Sequence, residues 1–260
     1  MSDSSRGLLF PGRLPTFRRV PAPGPVAHLV RWFWIPEWDL PHGRTSRQEV
    51  VAYPASNLVV EPHLVGLAGP TTRVSHRDLT GHGWAVGALL RPAAVPALLV
   101  DPAAARDRYL PLDLPDLHAA VADVMRGPDT ADRPARAVAA FAGWLLARAP
   151  ETGEDARLAN SLADLADTDR TVLRVEDLAE ALGVSTRTVQ RLARRYVGMP
   201  PAAMIRRRRL QEAAERIRAE PDTDLAAIAA DLGYADQAHL TNDFRAVLGH
   251  TPGRYRAESR

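Results

Sequence analysis

Two stretches of this 260-residue chain carry one small pattern, about one long helix apart, and that repetition constrains the fold more than any other feature. In the first, Leu178-Ala179 precedes Leu182-Gly183-Val184, followed by Val189 and Leu192. In the second, Ile228-Ala229 precedes Leu232-Gly233-Tyr234, followed by Leu240 and Phe244. A small Ala lets a second helix cross closely, and a Gly supplies the left-handed residue that ends the first helix. The apolar positions on either side pin the two helices into one helix-turn-helix unit.

The flanking periodicity completes a helical segment. Asp155–Ala166 carries Leu158, Leu162 and Leu165 on one stripe. The first pair of helices is predicted over 176–182 and 186–196, with Ser185 as the cap of the second. A longer helix, Pro201–Ala219, opens on Pro and turns Ile205, Leu210, Ala213, Ala214 and Ile217 to a core. The second pair follows over 224–232 and 237–247, capped by Asp236, and Thr251-Pro252 starts a last short turn. At 1.5 Å per residue the long helix spans roughly 28 Å, close to the ~34 Å between successive major-groove faces of B-DNA. Two recognition helices on one chain then suit two adjacent grooves.

Charge is distributed unevenly over this segment. The whole chain has a net charge of only +2, with 46% hydrophobic and 25% charged residues, the balance of an ordinary globular protein. Between 183 and 220, however, ten arginines face three glutamates, a local balance of +7. Arg187, Arg191 and Arg194 share a helical stripe, and Arg206–Arg209 form a run on the long helix, a pattern expected of a phosphate-binding surface. From 222 to 243 there are five Asp and no Arg. Gln237 and Asn242 can pair with adenine there, while Asp243 is expected to repel phosphate. Every basic residue is Arg, which alongside the many Ala and Pro reflects GC-rich coding more than a choice of contacts.

Residues 154–260 resemble the DNA-binding domain of the AraC/XylS family of bacterial transcription regulators. The residues that carry the resemblance are Leu178-Ala179, Gly183-Val184-Ser185, Arg191, Tyr196, Gly198, Pro201, Arg209-Leu210, Ala213, Ile228-Ala229, Gly233-Tyr234, Asp236, Leu240, Phe244, Gly249, Thr251-Pro252 and Tyr255-Arg256. The resemblance implies that exposed residues early in the two recognition helices touch bases. The expected DNA-binding set is Ser185, Thr186, Arg187, Thr188, Gln190, Arg191 and Arg194 in the first unit, and Gln237, His239, Thr241 and Asn242 in the second. Ala238 and Asn242 stand where the family often carries Ser or Gln and Arg, and Pro200 where a Ser often caps the connecting helix.

Before this segment the chain reads as a strand-rich half, residues 1–112, and a helical connector, residues 113–153. The expected fold is thus an α+β N-terminal part, mostly short strands and then helices, followed by an all-α double helix-turn-helix domain over 154–260. Leu29–Ile35 alternates, with Trp32 and Trp34 on one face and Phe33 and Ile35 on the other. Val50–Tyr53, Leu58–Glu61, Thr71–Ser75 and Trp84–Leu90 are further strand candidates, and a helix is expected from Pro92 toward Val100, weakened by Pro96. Leu114–Met125 and Arg133–Ala149 have helical spacing, and a hinge is expected at Pro150–Gly153. Trp32, Trp34, Trp38 and Trp84 suit core packing better than an aromatic pocket.

Absences bound the chemistry. With no cysteine, disulfides, thiolate metal sites and thiol nucleophiles are excluded. His63, His76 and His82 lack a ligand-spaced partner, so no metal or other cofactor is expected. No nucleophile elbow, phosphate loop or zinc-protease motif appears, so no catalytic residues are assigned and a non-enzymatic regulator is expected. Pro11 and Arg13 interrupt the apolar stretch Leu8–Phe10, and Trp84–Val100 is too short and too broken to span a bilayer, which points to a cytoplasmic protein without a membrane partner. Partners implied are double-stranded DNA and, for an activator, RNA polymerase. A small-molecule effector with an unknown site, a homodimer, a scaffold that only dimerises, and an enzyme domain bearing a regulatory tail all stay open for the N-terminal half.

Overall fold

In a computed structural model, residues 16–50, 54–98, 100–149, 151–220 and 222–258 are described. They form a strand-rich half followed by a helical half. The strands are β1 (Thr16–Pro21), β2 (Val30–Asp39), β3 (Thr45–Val50), β4 (Asn57–Glu61), β5 (Leu64–Ala68), β6 (Ser75–Thr80), β7 (His82–Trp84), β8 (Val86–Leu90) and β9 (Tyr109–Leu112). Seven of them make an antiparallel sheet in the order β1-β2-β8-β4-β5-β9, with β7 also paired to β2, while β3 and β6 form a separate two-stranded sheet.

Alternation along the strands gives the large sheet two unlike faces. In β2, Phe33 and Ile35 point to one face, joined by Leu58 and Val60 of β4 and by Val86, Ala88 and Leu90 of β8. The helices α1 (Pro115–Arg126) and α2 (Arg133–Arg148) close over this face with Leu117, Val121, Phe141 and Leu145. The Phe33 and Phe141 rings meet edge to face at 5.5 Å. Trp32 and Trp34 pack with Leu89 on the opposite face, and the Trp34 indole N–H donates to Asn57 Oδ1 at 2.9 Å. Trp84 instead joins the main core, so the tryptophans do not converge on one place.

Helix α3 (Glu154–Thr168) links the halves. Its apolar stripe of Ala156, Ala159, Leu162 and Ala166 is buried, and a polar stripe beside it holds the strand-rich half. Asn160 accepts from the Ala93 amide at 3.0 Å and donates to the His28 carbonyl at 2.8 Å; Asp164 pairs with Arg91 at 2.7 Å, and Asp167 with Arg31 at 2.6 Å. One continuous apolar cluster therefore runs from the sheet through α1, α2 and α3 to Leu178, Val189 and Leu192 of the first helix pair. The second pair has a core of its own, around Leu210, Ile217, Ile228, Leu240 and Phe244.

Two irregular segments of the N-terminal half complete the contact. Thr71–Ser75 was expected as a strand, but the chain turns there and only Ser75 enters β6. Its backbone groups bond elsewhere: the Thr72 amide donates to Asp107 Oδ1 at 2.7 Å, the Val74 amide to the Val247 carbonyl at 2.9 Å, and the Thr71 carbonyl accepts from Arg207 at 3.2 Å. Pro92–Leu98 winds as a 3-10 helix rather than the expected α-helix, with Pro96, which has no N–H to donate, inside it. Of the expected strand Val50–Tyr53, Val50 ends β3 and residues 51–53 lie outside the described residues, as do Pro150 of the expected hinge and residues 8–13. No helix among the described residues is long and apolar enough to cross a membrane.

The halves approach closely at Gly198, which has φ +79° and would place a Cβ 2.3 Å from the Pro102 carbonyl oxygen; Arg106 donates to the Gly198 carbonyl at 2.9 Å. A side chain there is strained by its backbone and collides with backbone it cannot displace. Gly198→Ala is expected to cost roughly 1–3 kcal/mol of stability. Denaturant unfolding of the full chain measures it, and an unchanged midpoint would contradict the close docking.

Candidate nucleic-acid interface

The two helix-turn-helix units are built on the same backbone bonds. In the first, α4 (Val175–Leu182) ends at Gly183, with φ +65°; the Gly183 amide donates to Glu180 and the Val184 amide to Ala179, both at 3.0 Å. In the second, α7 (Leu225–Asp231) is followed by Gly233, with φ +72°; its amide donates to Ala230 and that of Tyr234 to Ala229, both at 2.9 Å. Each turn then feeds a capped helix. Ser185 Oγ accepts the Thr188 amide at 3.2 Å to start α5 (Thr186–Leu192), and Asp236 Oδ1 accepts the His239 amide at 2.7 Å to start α8 (Gln237–Leu248). Between the units runs α6 (Pro201–Ala219), and α9 (Pro252–Glu258) closes the chain against Phe244 through Tyr255.

Burial sorts the residues of these helices. Val189 and Leu192 of α5, and Leu240, Phe244, Val247 and Leu248 of α8, are buried. Ser185, Thr186, Arg187, Gln190, Arg191 and Arg194 are exposed in the first unit, as are Gln237, His239 and Asn242 in the second; Thr188 and Thr241 are half-buried. Thr188 Oγ1 lies 3.1 Å from Ser185 Oγ, so it serves the cap. The His239 ring stands edge-on to Tyr234 at 5.1 Å, and the Arg209 guanidinium lies 4.0 Å from the centre of the same Tyr234 ring.

Part of the positive charge of this segment lies inside the molecule, since Arg207 and Arg208 are buried. The run Arg206–Arg209 is not an open phosphate-binding face. Arg207 is 2% exposed; it donates to the Thr71 carbonyl, and burial pulls its pKa down to about 10 despite nearby Asp107. Arg208 is 6% exposed and donates to the Val172 carbonyl at 2.7 Å and to Glu212 at 3.4 Å, and burial lowers its pKa too. Arg206 pairs with Asp243 at 3.7 Å, which also corrects the picture of Asp243 as a bare charge turned to phosphate. Helical spacing could not show this, because the acceptors come from segments far away in sequence.

The helix expected over 186–196 divides into α5 and a π-helical turn, Ala193–Val197, and along the two the pairing is selective. Both terminal nitrogens of Arg191 reach Asp155 at the start of α3, at 2.7 and 3.0 Å, and Arg195 lies 3.7 Å from the same carboxylate. Arg191 holds the Asp155 carboxyl below the usual range. Among the described residues Arg187 and Arg194 have no ion-pair partner, which leaves two guanidinium groups presented to solvent beside Gln190.

Comparison with known proteins fits this geometry. Residues 178–258 match the family described as a helix-turn-helix domain, and residues 18–110 match one described as a domain of unknown function (DUF6597). The chain is 35% identical over 121 residues to a Streptomyces lividans protein described as an AraC-like transcription regulator, which covers 46% of this chain and 38% of that one. It is 37% identical over 86 residues to the HTH-type transcriptional activator AarP of Providencia stuartii, covering 32% and 62%. The chain thus spans less than two thirds of the length of these relatives. The crystal structure of ToxT from Vibrio cholerae O395 aligns at TM-score 0.40 and 12% identity, over 93% of this chain and 95% of that one, too distant for chemistry to be carried across.

Two arginines separate the surface from the interior. Arg194→Ala is expected to leave stability unchanged and to lower the salt slope of duplex-DNA binding by about one. Arg208→Ala is expected to cost roughly 3–5 kcal/mol of stability by stranding its buried partners. Denaturant unfolding together with DNA titration at two salt concentrations separates the two, and equal stabilities would refute the division.

Proposed function

With a C-terminal helix-turn-helix domain of the AraC/XylS type as the premise, we propose that the chain is a sequence-specific transcription regulator that binds double-stranded DNA, with α5 and α8 in adjacent major grooves. The observation that carries this reading is the pair of matching turns, each feeding a capped helix whose outward residues are polar and whose inward residues are buried. The 19 residues of α6 supply roughly the spacing that adjacent grooves require. In this reading residues 154–260 are the DNA-binding part. Ser185, Thr186, Arg187, Thr188, Gln190, Arg191 and Arg194 belong to one half-site, and Gln237, His239, Thr241 and Asn242 to the other.

Residues 1–112 act as a sensing or dimerising part and 113–153 as its helical connector, with no catalytic role. Control then comes from a small-molecule effector, from self-association, or from both, and an activator would also contact RNA polymerase. An effector must bind one arrangement of the chain more tightly than another, because equal affinity shifts nothing. A cytoplasmic location follows from this role.

The two recognition helices are unequal. Arg187 stands open on a basic helix, whereas α8 offers Gln237 and Asn242 beside Asp236. On an operator found by mapping bound DNA, Arg187→Ala is expected to cost roughly 1–3 kcal/mol and to relax specificity at one half-site. Gln237→Ala should cost less. Equal losses from the two helices would argue against this assignment.

A further inference from the structure

Helix α3 is held at both ends by charge. Toward its C-terminus, Asp164 and Asp167 hold Arg91 and Arg31 of the strand-rich half. At its N-terminus, Asp155 takes both terminal nitrogens of Arg191 on α5. An arginine that reads guanine uses a two-pronged fork of N–H groups on O6 and N7. A carboxylate offers two acceptor oxygens to that same fork. Asp155 and a guanine edge therefore exclude one another as partners of Arg191.

We propose that Asp155 of α3 is a specificity-determining gate over Arg191 of α5: it occupies the Arg191 fork in the free protein and yields it when Arg191 takes a guanine. This rests on the DNA-binding reading of α5. The same carboxylate also draws in Arg195, so releasing it frees a second cation near the phosphates. Asp155 and Arg191 lie in one packed unit, because Ala156, Ala159 and Leu162 of α3 share an apolar cluster with Leu178, Val189 and Leu192, so the exchange of partners needs only the two side chains to move.

The test uses the full chain on its mapped operator and on the same operator with the guanine under α5 replaced. Asp155→Asn is expected to tighten operator binding about fivefold, the range of an exposed ion pair. Glu154→Gln, the same change of charge on the exposed neighbouring position, should alter it less than twofold. The gain from Asp155→Asn should vanish on the replaced operator and in an Arg191→Ala background. Equal gains from the two substitutions, or a gain that survives without Arg191, would show general charge repulsion and overturn the gate. Weaker binding by Asp155→Asn would show that Asp155 orients Arg191 for DNA, and no change would show that the pair is idle; either overturns it. If Arg187→Ala leaves operator binding intact, the failure lies with the DNA-binding reading of α5.

Discussion

A row of polar contacts between α3 and the strand-rich half, set beside the apolar cluster that the two share, fixes the register on which the placement of the first recognition helix depends. Asp167 is almost fully buried where it meets Arg31, and Asp164 and Asn160 continue the contact one and two turns away. Such pairs add little net stability, since stripping water from the charges roughly cancels their attraction. Their effect lies in what they forbid. A slide of one residue would leave a buried carboxylate facing carbon, at a cost of several kcal/mol, whereas an apolar seam would tolerate the slip. The apolar side of the same helix, led by Leu162, then fixes the first helix pair against a sheet whose orientation is already set.

Arginine serves both as scaffold and as presented surface in this chain. Arg207 and Arg208 reach backbone carbonyls of distant loops, Arg209 lies over an aromatic ring, and Arg187 and Arg194 remain outside. The planar guanidinium suits all of these tasks, because its donors lie in fixed directions and its charge survives burial better than an ammonium. Substituting lysine at 207 would place a compact, strongly hydrated charge where only one carbonyl is within reach.

Much of the helical half is legible in the sequence because its information is local. The left-handed Gly at 183 and 233, the caps at Ser185 and Asp236, and the Pro that opens α6 each declare themselves within a few residues. What escaped depends on partners far along the chain. β5 has a Gly at its centre, and β1 carries two arginines and a Pro. Neither offers strong alternation, and both owe their conformation to neighbouring strands. Thr71–Ser75 reads as a strand by composition, yet its hydrogen bonds go to Asp107, Arg207 and Val247. The pairing of Arg191 with Asp155, across 36 residues, leaves no periodic trace.

The division of the apolar core has a consequence for how the chain comes apart. The cluster beginning in the sheet ends in the first helix pair and the start of α6, while the second pair has buried residues of its own, with Val74 of the strand-rich half packed on their edge. Cooperative units follow such packing. The boundary of cooperativity then falls within the helical half, along α6, and not at the link before α3. Amide protons of α4 and α5 would exchange with those of β4 and β8, on the slow timescale of that larger unit, and α7 and α8 would open and close on their own.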